Sequence, residues 1–479
     1  MIRRRFLKSE DNTLFNGAVM VLESEPSGER IVVIGGVAAG MSAASKARRL
    51  RPDIEIFVFE KSGYVSYGSC GLPYFISGMI RSPDDLVVYD AGFFKEKRNI
   101  DVFLFHEATA IHPDKHSVLV KNLKTGEESE YRYDKLLIST GGRPFVPPIK
   151  GIDLKGIFTI RLLPDGIKAK EFIRERAPRK AAIVGAGYIG IEMAEAFSKL
   201  GIEVTMLARR NSILGTMDDE ICKVVEDELK KNGVTLLKSA HIGEFTGEGG
   251  YVRRVILRTG ESIDADMVIV AAGVRPNSEI AKEAGIKTEN HRNAIVVNQQ
   301  METNIPGIYA AGDCAVAYNR LLDRPVYAPL GTTANKMGRV AGTNMAGGAA
   351  SFQGIVGTST FKVFDLQVAR TGLTEKEAIR EGLDHVSSVI ETLSRAHYYP
   401  GASSIWIKLI AEKSTGRILG AEGAGKESVP KRIDIIATAI TAGMTVEELA
   451  GLDLSYAPPF APSWDPVLVA ANDLKKKIE

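Results

Sequence analysis

Three cysteines in 479 residues leave no material for a disulfide framework, and Cys70, Cys222 and Cys314 lie far apart in the chain. That scarcity points to a reducing compartment, so the expected location is cytoplasmic. No run of about 18 apolar residues occurs, and no segment is expected to span a membrane. Neither sign of charge is in excess, since 61 Lys and Arg face 59 Asp and Glu for a formal net charge of +2. Such a balance excludes a surface organised for nucleic acid or an anionic membrane, and any basic site must be local. An export signal also lacks its parts. RRRFLK (3–8) resembles a twin-arginine signal, but SEDNT (9–13) puts two acids where the apolar region should begin. LFNGAVMVL is short and no A-x-A cleavage pattern follows it. Residues 1–29 read as an N-terminal extension, within which Met20 offers a second start.

What is present is the composition of a soluble globular chain, 44% apolar and 25% charged, and long enough for two or three domains. RIVVIGGVAAGMSAASKARRL (30–50) reads as a buried strand, a glycine turn and a helix with small residues on its inner face. Gly35 permits the tight turn and Gly40 lets helix and strand pack closely. Val37, Ala38 and Ala39 lie between them, with Val37 replacing the middle fingerprint glycine. The helix start offers free N–H groups to a pyrophosphate. A second strand, IEIFVFE (54–60), ends in Glu60, placed to bind both hydroxyls of an adenosine ribose.

The pattern returns at AAIVGAGYIGIEMAEAF (181–197) with Gly185, Gly187 and Gly190 all in place, followed by Tyr188, Ile189 and Glu192 on the helix. The separation far exceeds the ~30 residues of one βαβ unit, so the chain is expected to bind two dinucleotides. In GIEVTMLARRN (201–211) the strand ends at Ala208, without the acid that would select NADH, and Arg209 and Arg210 follow. Arginines there can hold a 2′-phosphate by charge-assisted hydrogen bonds, so NADPH is expected to be accepted, alone or beside NADH. The same pair also fits an ordinary solvated surface.

LLISTGGRP (136–144), with Thr140 and Gly141, and VIVAAGVRPN (268–277), with Gly273, are apolar strands ending in glycine turns of the kind that cross between nucleotide domains. TNIPGIYAAGDCA (303–315) reads as a strand delivering Asp313 to the start of a helix. There the carboxylate is either a ligand for flavin ribityl hydroxyls or a plain N-cap. Cys70 stands alone in SYGSCGLPYF (66–75), just past the first fingerprint. A cysteine acts as nucleophile through its thiolate, and without a second cysteine its redox partners are a flavin or a small thiol from solution. Cys222 and Cys314 read as packing residues.

In this order GGVAAG, Glu60, SYGSC, STGG, GAGYIG, AAGVRP and AAGDCA resemble the FAD- and NAD(P)H-dependent pyridine nucleotide-disulfide oxidoreductases over essentially residues 30–479. The chain has neither the C-x4-C disulfide nor the C-x-x-C pair of other branches. It is similar to the single-cysteine branch of coenzyme A disulfide reductases, NADH oxidases, NADH peroxidases and NAD(P)H:polysulfide reductases. The resemblance implies an α/β fold with two Rossmann-like domains and a C-terminal α+β dimerisation domain. The boundaries expected are 30–150 and 275–348 for the FAD domain, 151–274 for the NAD(P)H domain and 349–479 for dimerisation.

It further implies that Cys70 is the redox cysteine, that Tyr188 covers the flavin until nicotinamide displaces it, and that Glu192 flanks the nicotinamide pocket. Thr332, Thr333 and Ala334 in PLGTTANKMGR (329–339) would line the flavin, with Ser66 near it. Tyr398 in HYYPG and Tyr456 in LSYAPPFAPSWDP match two tyrosines that coenzyme A disulfide reductases supply across the dimer interface, a place where aromatic packing is the alternative. Ser69 departs from an asparagine frequent before the cysteine, so coenzyme A is expected to be held differently, with Ser66, Ser69, Arg48 and Arg49 as its candidate contacts. The function implied is reduction of coenzyme A disulfide or polysulfide by NAD(P)H in a homodimer with shared sites. The absence of an appended rhodanese-like domain speaks against a persulfide-only substrate. NADH oxidase activity and reduction of a protein electron carrier are the alternatives.

Overall fold

The computed structural model describes residues 20–21 and 28–478, so the RRRFLK stretch lies outside the described residues. The fully buried strand Arg30–Ile34 has parallel neighbours on both sides, as an uninterrupted apolar strand requires. It is the centre of a five-stranded sheet ordered Ile308–Ala310, Lys135–Ile138, Arg30–Ile34, Glu55–Glu60, Asp101–Leu104, parallel throughout. Beside it lies a four-stranded sheet in which Met20–Val21 pairs with Glu128–Arg132. The second unit repeats the design with Ile157–Phe158, Met267–Val270, Lys180–Val184, Glu203–Leu207 and Thr235–Leu237, again all parallel.

The second unit is inserted into the first. Both chain crossings pass through one antiparallel pair, Gly142–Pro144 with Val274–Pro276. Asn277 locks it, donating from its side chain to Thr140 O at 2.9 Å while the Thr140 hydroxyl donates to Asn277 O at 2.5 Å.

Two helices of the first unit, Ala38–Leu50 and Gly331–Met345, cross with their backbones nearly touching. A Cβ on Gly338 would lie 2.3 Å from Ala39 O, and one on Gly342 would lie 2.3 Å from Ala43 O, so both positions need glycine.

One local expectation is corrected. Asp313 starts no helix: it sits in a turn after Ile308–Ala310, a hairpin of Ala317–Asn319 and Arg324–Val326 comes next, and the helix begins at Gly331. Asn319 nucleates the hairpin turn by accepting from Leu321 N at 2.9 Å and Leu322 N at 3.1 Å, a side-chain turn that competes with helix.

The C-terminal domain is a five-stranded antiparallel sheet ordered Ser359–Val363, Leu366–Gly372, Ile418–Gly425, Ser404–Glu412, His385–Leu393. Helices Val429–Ala442 and Pro466–Lys475 cover one face. Toward the second unit, Phe361, Val363, Leu366 and Val368 share a hydrophobic core with Ile191, Met193 and Ile221. Among the described residues no helix is long and apolar enough to cross a membrane.

Candidate active site

Helix starts differ in how they are capped. Helices beginning after Asp90, Thr374, Thr445 and Asp465 are capped by those side chains. The helices Ala38–Leu50, Tyr188–Lys199 and Gly331–Met345 have no side-chain cap and no acid in the first turn. Their first N–H groups and positive dipole ends are therefore suited to an anionic ligand.

At the first fingerprint Gly35 has φ of +99°, and a Cβ there would lie 2.3 Å from Ser139 O, while a Cβ on Gly40 would come within 1.9 Å of Gly35 O. Val37 is the residue before the helix, and Ala39 is buried under Gly312. Glu60 is buried and held at the strand end by Gly36 N and Ser62 N, each donating at 2.8 Å to a different carboxylate oxygen. Each oxygen keeps acceptor capacity for a ribose hydroxyl. At the second fingerprint Gly185 has φ of +110°, a Cβ on Gly190 would lie 2.1 Å from Gly185 O, and a Cβ on Gly187 would meet nothing within 4 Å. Gly141 and Gly273 adopt φ of +64° and +123° in the two crossing turns.

Two residues that the sequence reading did not single out complete the first cradle. Asp313 forms a short ion pair with Arg161, which comes from the connection after Ile157–Phe158. The hydroxyl of Tyr327 is buried without a hydrogen-bond partner, close enough to Asp313 and Arg161 for their charges to act on it. A buried phenol without a partner, an anchored acid and uncapped helix starts fit a dinucleotide flavin bearing many hydroxyl and phosphate oxygens. In the helix from Gly331, Thr333 and Ala334 are buried and Thr332 is exposed.

The cysteine loop is bonded directly to this cradle. Ser66 takes a left-handed conformation, φ 49°, rare for a residue with a side chain, and its N–H donates to Gly36 O at 2.9 Å. A short turn, Ser69–Gly71, then presents Cys70, and the helix Leu72–Ile76 packs on Tyr188–Lys199 of the second unit. Cys70 is exposed, whereas Cys222 and Cys314 are buried with their thiols on the carbonyls of Ile213 and Ile138 at 3.3 and 3.4 Å.

Desolvation of the sulfur raises the Cys70 pKa, the Glu192 carboxylate raises it further, and the Arg161 guanidinium opposes both. Glu192 is itself pushed up to about 7, first by burial and then by the neighbouring charge of Glu195. A carboxyl poised there exchanges protons at neutral pH.

The remaining expected residues fall in three places. Arg209 and Arg210 are exposed just beyond buried Ala208. Arg48 donates to Pro52 O at 2.6 Å and Asn99 O at 2.8 Å, and Arg49 is exposed on the same helix. Tyr398 and Tyr456 lie 3.1 Å apart, hydroxyl to hydroxyl, on the C-terminal domain. They are 62% and 48% exposed, with Phe460 and Trp464 at 75% and 64%, an apolar surface of the kind that mediates association. Hydrogen bonds from Tyr398 and Ser463 lower the Tyr456 pKa, while its bond to Tyr456 raises that of Tyr398.

Residues 29–339 match the family model described as pyridine nucleotide-disulphide oxidoreductase, and residues 358–467 match the dimerisation domain of that family. The chain is 41% identical over 448 residues to the NAD(P)H coenzyme A polysulfide/persulfide reductase of Pyrococcus horikoshii, spanning 93% of this chain and 98% of that protein. To the coenzyme A disulfide reductase of Staphylococcus haemolyticus it is 32% identical over 433 residues, spanning 90% and 96%. The structure of an NAD-dependent persulfide reductase from A. fulgidus superposes with a TM-score of 0.90 at 42% identity, over 94% of this chain and 83% of that one. An engineered water-forming NADPH oxidase bound to NADPH superposes with a TM-score of 0.89 at 27% identity, over 94% and 99%. Its engineered changes include aspartate to alanine and, at the next residue, alanine to arginine.

Proposed function

The chain belongs to the pyridine nucleotide-disulphide oxidoreductase family and is an NAD(P)H-dependent flavoprotein oxidoreductase of the coenzyme A disulfide and sulfur reductase group, and on that premise we propose that it reduces the sulfur–sulfur bond of coenzyme A disulfide, and of polysulfide, through Cys70. The observation that carries the reading is the placement of one exposed thiol between the two cradles. Its loop is bonded to the Gly36 turn and the helix after it packs on the second fingerprint helix, while both other cysteines are buried.

FAD would be held by the Gly35–Gly40 turn, Glu60, Asp313, Tyr327 and the helix from Gly331, and supplies the two-electron relay between nicotinamide and sulfur. Arg161, whose direct partner is Asp313, partly offsets the desolvation and the Glu192 charge that disfavour the Cys70 thiolate. The thiolate attacks one sulfur of coenzyme A disulfide: a Cys70–sulfur bond forms, the original sulfur–sulfur bond breaks, and one coenzyme A departs as thiolate. Tyr456 of the partner subunit, hydrogen-bonded to Tyr398, gives that thiolate a proton. Two electrons originating in NAD(P)H then split the mixed disulfide, releasing the second coenzyme A and restoring the Cys70 thiolate. Overall one disulfide, one NAD(P)H and one proton give two thiols and NAD(P)⁺. With polysulfide the same attack leaves a Cys70 persulfide, reduced in the same way.

Ala208, Arg209 and Arg210 favour NADPH, since no carboxylate repels a 2′-phosphate there; the engineered NADPH-using oxidase likewise acquired an Ala-Arg dipeptide in place of one with an aspartate. For coenzyme A phosphates Arg49 is the freer of the two arginines, since Arg48 is bonded to backbone carbonyls.

The test is anaerobic reduction by NADPH and by NADH, followed by coenzyme A disulfide, polysulfide, oxygen and peroxide, with wild type and Cys70→Ser. Thiol release is expected to fall at least about 10³-fold in the variant, while flavin reduction by NAD(P)H persists. Disulfide reduction undiminished in Cys70→Ser, or turnover with oxygen alone, rules the reading out.

A further inference from the structure

The phenol of Tyr188 reaches from the second fingerprint helix to the C-terminal domain. Its hydroxyl lies 2.8 Å from Thr216 Oγ1 and 3.5 Å from Ser359 Oγ, and its ring packs on Phe361 with centroids 4.9 Å apart. Thr216 is fixed in turn, because its carbonyl accepts a short hydrogen bond from Arg370 Nη1. Arg370 is buried, and its other terminal nitrogen donates to Gly372 O and Glu377 Oε2, both at 2.7 Å.

Across the strand pair Arg370 stands opposite Glu422, whose carboxylate accepts from Asp218 N at 3.0 and 3.2 Å. Asp218 faces Lys408 Nζ at 3.2 Å, and Lys408 also bonds Glu220 at 3.0 Å and Glu375 at 2.6 Å. Lys408 and Glu422 are each only 1% exposed. The segment from Thr216 to Asp218 is thus clamped by a buried charged network of the C-terminal sheet. Such networks tolerate few alternative arrangements, because a displaced member leaves a buried charge unpaired.

Among the described residues the hydrogen-bond and ring partners of Tyr188, Thr216, Ser359 and Phe361, lie outside the first cradle. We propose that Thr216 and Ser359, with Arg370 behind them, form a docking station that holds Tyr188 withdrawn. The C-terminal domain thereby sets the affinity for nicotinamide without touching it. Thr216, Ser359 and Arg370 are positioning residues, and the proposal rests on the reading that Tyr188 is the ring that nicotinamide displaces. Weakening the station lowers the fraction of molecules ready to bind, and apparent affinity falls in proportion.

The experiment uses flavin-loaded wild type, Thr216→Val, Ser359→Ala, Tyr188→Phe, Tyr188→Ala and the Tyr188→Phe/Thr216→Val double variant. Each is titrated with NADP⁺ at equilibrium, followed by the flavin absorbance change, and flavin reduction by NADPH is timed by stopped flow. Thr216 is exposed and valine matches its shape, so the key variant keeps its packing. Its NADP⁺ dissociation constant is expected to rise roughly two- to tenfold, the value of one or two neutral hydrogen bonds, with the limiting reduction rate at saturating NADPH unchanged. Ser359→Ala should show a smaller rise, and the double variant should bind no worse than Tyr188→Phe alone, because both substitutions remove the same bond. Unchanged or tighter NADP⁺ binding in Thr216→Val, or effects that multiply in the double variant, overturn the docking station. If Tyr188→Ala still alters affinity in that case, the lid reading survives without the station. If Tyr188→Ala alters neither affinity nor flavin reduction, the lid reading is itself wrong and the station falls with it.

Discussion

Glu192 and Cys70 form an unusual pair, a carboxyl pushed toward neutrality by burial and a thiol pushed upward by partial desolvation of its sulfur and by the carboxyl. The shift of Glu192 carries a stability signature. Unfolded, it titrates near 4.5; folded, near about 7. Between those values the native molecule holds a proton that the unfolded chain has lost, so stability falls as pH rises through this window. Glu422, raised to about 8 first by burial and then by Asp218, extends the same fall to higher pH. Glu192→Gln removes one of the two titrations, and its melting temperature is expected to drop less than that of wild type between pH 5 and pH 7.5, by roughly 1–3 °C. Identical slopes in a calorimetric pH series would contradict that. Cys70, Glu192 and Tyr188 can be singled out as candidates in the sequence because each sits inside a short motif. Arg161, Tyr327 and Thr216 cannot, since their roles come from folding: Arg161 meets Asp313 across 152 residues of sequence, and no local pattern announces such a meeting.

Strand-turn-helix units carry the most legible part of the fold. Continuous apolar runs gave away Arg30–Ile34 and Lys180–Val184, and the glycines after them located both helix starts. The AAGDCA segment misled because a strand succeeded by small residues and an acid looks like a third such unit. Asn319 decides the path of the chain beyond it, its side chain closing a hairpin turn, and the helix waits until Gly331. That helix makes its own prediction. Gly338→Ala places a methyl group 2.3 Å from Ala39 O, so the helices must separate. The expected loss is about 1–3 kcal/mol of stability, read by denaturant unfolding, together with poorer retention of flavin on gel filtration because both helix starts shift. A variant that holds flavin fully and unfolds at the same denaturant concentration would show the crossing to be looser than it looks.

On the scale of the whole molecule, the dimerisation domain places Tyr398 and Tyr456 on an exposed aromatic surface of the chain that bears Cys70, bonded to each other. If one chain completes the site of the other, mixing settles it. Hybrids of Cys70→Ser and Tyr456→Phe subunits contain one intact site and one doubly defective site. Refolded equimolar mixtures should regain up to about a quarter of wild-type disulfide reductase activity, since half of the dimers are hybrids and each has one working site of two. A mixture no more active than the average of its two parents, measured as coenzyme A thiol release, would rule out completion of one chain's site by Tyr456 of the other.

The paired crossings at Gly142–Pro144 and Val274–Pro276 have a consequence for how such a chain can be rebuilt. Because the chain leaves and rejoins the first unit through two hydrogen-bonded neighbours, everything between them behaves as a cassette whose ends are already stapled together. Replacing the cassette by one that prefers another nicotinamide leaves the host's loop-closure entropy and sheet register untouched. Two seams must be redesigned: the one facing the C-terminal sheet, where Thr216 and Asp218 meet Arg370, Glu422 and Lys408, and the one facing the first unit, where helix Leu72–Ile76 packs on Tyr188–Lys199 and Asp313 pairs with Arg161.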